Sequence, residues 1–247
     1  MRFASASGDL NPMHVDALYA RRTQAGAPVV HGIHLLLWAL DSLVSAAPSL
    51  PALKSLHANF NKFVYLDEPA EAVLAEYGPS GARLHVAIDG DTRSRFNLAF
   101  GDSQDCSALA DALQPVAISK TARNLSFEEM ANLAGRLPFQ LKPEEGEKYF
   151  PAAARWLGSS RIAALAATSY LVGMVCPGLH SIYTDLSLTT CRESEPQDFL
   201  DFQVTHSDSR FCLLEQQIAG GGWTGTIRSI ARIPPVDQTT MASLAAS

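Results

Sequence analysis

The chain has 247 residues, with 19 Lys+Arg against 25 Asp+Glu and a net charge of −6. So acidic a balance argues against a nucleic-acid binder, which needs a basic face, and an apolar content of 47% excludes a disordered chain. Charged residues, at 18%, fall below the roughly 25% of a typical soluble domain, which points to extra buried surface and to an oligomer, most simply a homodimer.

No stretch reaches the roughly 18 uncharged apolar residues of a membrane span. The nearest, Ile33–Ala47, is broken by Asp41. The first residues, Met-Arg-Phe-Ala-Ser-Ala-Ser-Gly-Asp, lack the apolar core of a signal peptide, so a cytoplasmic protein is expected. Cys106, Cys176, Cys191 and Cys212 are scattered and form no CxxC pair. Neither a disulfide framework nor a zinc site is expected from them; they read as buried thiols in a reducing compartment.

In chain order, a helix apolar nearly all round is predicted over Ile33–Ala46, just after Gly32 and stopped at Pro48. Strand-like runs follow at Ser55–Val64, Ala70–Tyr77, Ala82–Asp89 and Ser94–Phe100, with turn signals at Gly78-Pro79, Gly81 and Gly90. A connector lies near Asp102–Leu113. Ser126-Phe-Glu-Glu129 is a capping box that opens a short helix, expected to end at Gly135. A second buried helix is predicted over Ser159–Met174, after Gly158 and stopped at Pro177. Four more strands are expected at Ser181–Thr190, Phe199–His206, Phe211–Ala219 and Trp223–Ile233, with Gly220-Gly221-Gly222 as a hairpin turn.

The two halves align at one offset of 126 residues: Gly32 on Gly158, Pro51 on Pro177, Ser55 on Ser181, even Pro12 on Pro138. This is an internal repeat. A buried helix followed by an antiparallel meander, present twice, is an α+β pattern that matches a double hotdog, and other α+β folds share it. Residues 1–104 would form one hotdog and 105–247 the other, their sheets joined edge to edge.

The residues with most chemical content are Phe3-Ala-Ser-Ala-Ser-Gly-Asp9-Leu-Asn-Pro-Met-His14, then Ala20 and Val30-His31-Gly32. This run resembles the signature of the MaoC-like, or (R)-specific enoyl-CoA hydratase (hydratase 2), family: an aromatic, Ser-Gly-Asp-x-Asn-Pro-x-His, a small residue, and a His-Gly before the hotdog helix. Met13 departs mildly from the usual branched aliphatic. The family also places about twenty residues, a strand among them, ahead of the aromatic. Only two precede Phe3 here, so that strand is expected further upstream or from elsewhere.

The resemblance implies addition or removal of water across the 2,3 bond of an acyl thioester, with Asp9 and His14 as the acid–base pair. The residue types suit that chemistry. Histidine titrates near neutrality, and an Asp and a His converging on one water can activate it and return a proton to the α-carbon. Asn11-Pro12 should break any helix and fold a tight loop that brings the two side chains together, with Asn11 bracing it. The Gly32 amide, at the N-terminus of a buried helix, would hold the developing enolate oxygen, and Asn11 and His31 complete the expected oxyanion and substrate-binding set. No metal and no cofactor are expected beyond the CoA or carrier-protein thioester of the substrate. At the repeat offset Asp9 falls on Gly135 and His14 on Gln140, so the second half keeps neither group and one site per chain is expected. Gly158 and Tyr170 would then shape the acyl side of the pocket. The remaining histidines, His34, His57, His85, His180 and His206, read as structural, and Cys176-Pro177-Gly178-Leu179-His180 as a turn. A hotdog thioesterase and a non-catalytic acyl-thioester-binding subunit are the alternatives.

Overall fold

The computed structural model describes residues 2–47, 49–106, 109, 113–192 and 197–234. Pro48, the expected stop of the first helix, lies outside them, as does part of the 102–113 connector.

Three short helices open the chain: α1 (Arg2–Ser7), α2 (Pro12–Val15) and α3 (Ala17–Arg21). The long helix α4 (Gly32–Ala46) follows, then the meander β1 (Leu53–Phe60), β2 (Glu71–Gly78), β3 (Gly81–Ile88) and β4 (Asp91–Phe100). The second half runs α5 (Phe127–Met130), β5 (Ala134–Pro138), α6 (Pro143–Tyr149), α7 (Pro151–Leu157) and α8 (Ser159–Tyr170). A π-helical turn, Leu171–Val175, extends α8 and is followed by β6 (Ser181–Thr190), β7 (Phe199–Asp208), β8 (Leu213–Gly220) and β9 (Trp223–Ala231).

Among the described residues the strands form one nine-stranded antiparallel sheet, ordered β2-β3-β4-β1-β6-β9-β8-β7-β5. It wraps α4 and α8, whose buried faces share a single core with the inward side chains of the sheet, β2 contributing only the partly buried Ala72. Ile33, Leu36, Leu37 and Leu40 on one helix and Ile162 and Leu165 on the other are fully enclosed. Burying apolar faces from both helices in one core is what joins the halves into a single unit. The molecule is a double hotdog.

The seam is the ladder between β1 and β6, in which Asn59 stands opposite Asp185 and hydrogen-bonds to it. These two residues are 126 apart, the repeat offset itself, so the local two-fold passes between them. Further out the register slides: the β3–β4 turn at Gly90 corresponds to the β8–β9 turn at Gly222, an offset of 132. The longer β7–β8 hairpin takes up most of the difference.

The halves differ at their outer edges. β5 covers the edge of β7, pinned by Arg136, which donates to both carboxylate oxygens of the buried Asp201 at 2.7 and 2.8 Å. Among the described residues no strand covers the outer edge of β2.

Two expectations are corrected. The capping-box helix ends at Met130, not Gly135, which lies in β5. Cys106 and Cys191 are disulfide-bonded, so the reading of four free thiols fails. A parallel bridge between Gln104 and Cys191 lays the connector along the end of β6 and brings the pair together, and nothing in the spacing announces it. Cys176 and Cys212 are free, and burial pushes the Cys176 thiol up to about 12.

Candidate functional site

Asp9 sits in the loop between α1 and α2, and is buried to 2% exposure. Its carboxylate accepts from the Asn11 backbone N–H at 3.2 Å and from the Ser169 hydroxyl of α8 at 2.6 Å. Burial raises the Asp9 pKa, against the lowering effects of His14 and these hydrogen bonds. Gly173, in the π-helical turn, makes room for the carboxylate: a Cβ there would overlap Asp9 Oδ1. The second half thus builds the wall against which the Asp9 side chain rests.

The Asn-Pro dipeptide does not exclude helix here. Pro12 opens the single turn of α2, and the Asn11 side chain caps it by accepting from the Met13 N–H at 3.0 Å. His14 lies on that turn. Its Nδ1 is 2.8 Å from the Val29 carbonyl oxygen, which accepts only if Nδ1 carries the proton. That bond fixes the tautomer and leaves Nε2 with a lone pair.

His31 stacks on His14 with ring centroids 3.7 Å apart, and donates from Nε2 to the Asp9 carbonyl oxygen at 3.0 Å. Burial, then His14, hold its pKa well below the ordinary histidine value. Asp9, His14 and His31 offer donor atoms within 4.8 Å of one another, near enough to hold a cation, although each ring already spends one nitrogen on a backbone carbonyl.

Gly32 opens α4, and the N-cap His31 gives the helix no side-chain hydrogen bond. The first-turn N–H groups therefore keep their donor capacity and the positive end of the helix dipole. A Cβ at Gly32 would meet the Phe60 ring at 2.8 Å, so close packing of β1 against the helix start is one reason for glycine there.

A cavity of about 350 Å³ lies along the seam, bordered by Asp9, His14 and Gly32 from the first half and by Ser169, Gly173 and Tyr183 from the second. A second cavity, about 570 Å³, lies beyond His14 and is bordered by Phe3, His31, His34 and Phe150. His14 borders both.

Three of the five expected site residues, Asp9, His14 and Gly32, meet at the first cavity. Asn11 and His31 do not border it; His31 borders the second cavity instead. Asn11, 1% exposed, donates from Nδ2 to the carbonyls of Gly173 at 2.8 Å and Gly178 at 3.0 Å, tying the loop to the second half. His31 braces the loop through the Asp9 carbonyl. Gly158, expected to shape the pocket, is exposed and borders neither cavity, while the Tyr170 hydroxyl is engaged with the backbone of Ser119. Ser169 and Gly173 carry no local signal in the sequence, because their partner lies more than 150 residues away.

Residues 1–89 match the family model of the MaoC like domain. Solved structures of similar fold include a MaoC-like dehydratase at 12% identity, TM-score 0.51, covering 93% of this chain and 92% of that one. The acyl-CoA thioesterase II TesB2 from Mycobacterium marinum is similar at 15% identity, TM-score 0.50, over 86% of this chain and 93% of its own. The dehydratase domain of RzxB from Pseudomonas fluorescens is similar at 12% identity, TM-score 0.50, over 83% and 86%. A search of the curated proteins gives no match. The matched family model and the architecture agree with the Ser-Gly-Asp-x-Asn-Pro-x-His run: this chain is a double hotdog whose first 89 residues match the MaoC like domain.

Proposed function

We propose that the protein is a hydratase/dehydratase of acyl thioesters, interconverting a 2-enoyl thioester and its (3R)-3-hydroxyacyl counterpart. One observation carries this reading: Asp9, His14 and the open N-terminus of α4 all face one seam cavity. In the hydration direction Asp9 and His14 hold a water between them. His14 Nε2 takes a proton from it as its oxygen bonds to C3, and the pair returns one proton to C2, so no net proton is gained or lost. The charge that develops on the thioester oxygen is met by the Gly32 N–H and the α4 dipole. Ser169 and Asn11 hold the Asp9 carboxylate, and His31 holds its backbone. A metal has no part in this scheme, and turnover should survive exhaustive chelation.

The test follows enoyl absorbance and free thiol together on 2-enoyl-CoA. Loss of enoyl absorbance without thiol release supports the reading. Thiol release favours a thioesterase, and silence in both a non-catalytic acyl-thioester-binding subunit.

A further inference from the structure

The sheet wall of the seam cavity is hydrocarbon over much of its length, with Phe60, Ile182 and Ile230, and Val64 from the loop after β1 extends it. Of the sheet hydroxyls that border it, those of Ser181 and Thr184 among them, two are enclosed and unpaired. Ser94, on β4, is 1% exposed, and its Oγ has no hydrogen-bond partner among the described residues. The Tyr183 hydroxyl, on β6, is likewise enclosed and without a hydrogen bond. Thr168, beside it, donates its own O–H to the Leu165 carbonyl at 2.7 Å and keeps lone pairs toward the phenol, so what the Tyr183 oxygen lacks is a donor and a well-formed acceptor.

The two groups come from opposite halves and flank one ring. Ser94 is the direct cross-strand partner of Phe60, so both point to the same face of the sheet. Tyr183 meets Phe60 edge-on, with centroids 5.2 Å apart. Phe60 in turn packs against Gly32, where the thioester oxygen is placed in the reading above. The exposed Gln24, Asn61 and Lys62 border the same cavity and mark its solvent side.

Enclosed hydroxyls are seldom left unpaired, and a bound ligand that strips their surroundings without replacing a hydrogen bond binds poorly. A pocket built to hydrogen-bond a substrate oxygen strongly rejects the analogue that lacks it. Burial raises the Tyr183 phenol pKa, so it stays protonated and can donate. Serine can donate or accept, so the pair suits a carbonyl that accepts from both or a hydroxyl that gives to one and takes from the other.

We propose that Ser94 and Tyr183 read an oxygen, hydroxyl or carbonyl, carried on the acyl chain beyond the thioester. The substrate class is then an oxygenated 2-enoyl or 3-hydroxyacyl thioester rather than a plain fatty one. The assignment rests on the hydratase reading for where the thioester lies. It places the pantetheine arm toward the solvent side and the acyl chain against the enclosed hydroxyls.

The experiment compares 2-enoyl-CoA esters of one chain length, with and without a hydroxyl walked along the chain. At one position the wild type should favour the hydroxylated ester in kcat/KM by about tenfold or more, mainly through KM. Tyr183→Phe, which keeps the ring, and Ser94→Ala should each erase most of that preference. Absence of a preference at every position overturns the proposal. So does an equal loss on hydroxylated and plain esters that disappears with N-acetylcysteamine thioesters, since the two hydroxyls would then serve the pantetheine arm. Calorimetric binding of the matching saturated acyl-CoAs, which cannot be hydrated, separates this from the reading beneath it. A binding preference without enoyl turnover sinks the hydratase and keeps the subsite; turnover without preference does the reverse.

Discussion

At the scale of single residues, Asp9 is held where a charge is disfavoured, and this yields opposite effects on activity and stability. Asp9→Asn should lower hydration by about 100-fold or more, the scale for losing an acid–base group. The same change should raise the melting temperature at pH 7. The sign follows from linkage: a carboxyl whose folded pKa is raised stabilises the fold only when protonated, and that stability is lost as pH rises through the folded value. Asparagine removes the loss, so the gain should vanish below the ordinary carboxylate value of 3.8, as melting curves across pH will show. Ser169→Ala removes a 2.6 Å hydrogen bond to the carboxylate and should cost about 1.5 kcal/mol in the transition state, roughly tenfold in kcat, with KM little changed. His31 contributes an acid limb. Its folded pKa lies well below 6.5, so below pH 6.5 the unfolded chain binds a proton that the folded one refuses, and stability falls; the lowered His34 acts in the same direction. His31→Gln, which can still donate to the Asp9 carbonyl, should make the urea midpoint less sensitive between pH 7 and pH 5.

Among elements, the joint between α4 and β1 is the most sharply constrained. Gly32→Ala pushes a methyl into the Phe60 ring, an overpacking worth about 1–3 kcal/mol. Adding Phe60→Leu should recover at least half of that in a denaturant melt, and no recovery would mean that Phe60 is not what Gly32 makes room for. Elements with strong periodicity were legible from sequence: α4 and α8 as apolar helices, and the eight meander strands between turn glycines. β5 was not, because Ala-Gly-Arg-Leu-Pro has the composition of a loop and becomes a strand only through pairing with β7. α6 and α7, each seven residues opened by a proline, are too short to show a period. The candidate site divides in the same way. Asp9, His14 and Gly32 stand in a contiguous motif, whereas Ser169, Gly173 and Tyr183 reach the cavity only because α8 and β6 pack across the seam.

Over the whole molecule, the repeat closes one sheet edge and leaves the other open. The backbone groups along the outer side of β2 have no partner strand among the described residues, while those of β7 are paired with β5. Outward-facing amides of β2 should therefore exchange with deuterium well before their counterparts on β7, and equal protection of the two strands would mean that something covers β2 in solution. The local two-fold between Asn59 and Asp185 relates two scaffolds of one shape but unequal content. Gly135 lies in a strand at the position of Asp9, and Gln140 stands where the repeat puts His14. The start of α8, at Gly158, is exposed. That inequality sets a stoichiometry. A tight-binding, unreactive analogue of the thioester should saturate at one equivalent per polypeptide, never two, and inactivation should be complete after a single modification event per chain.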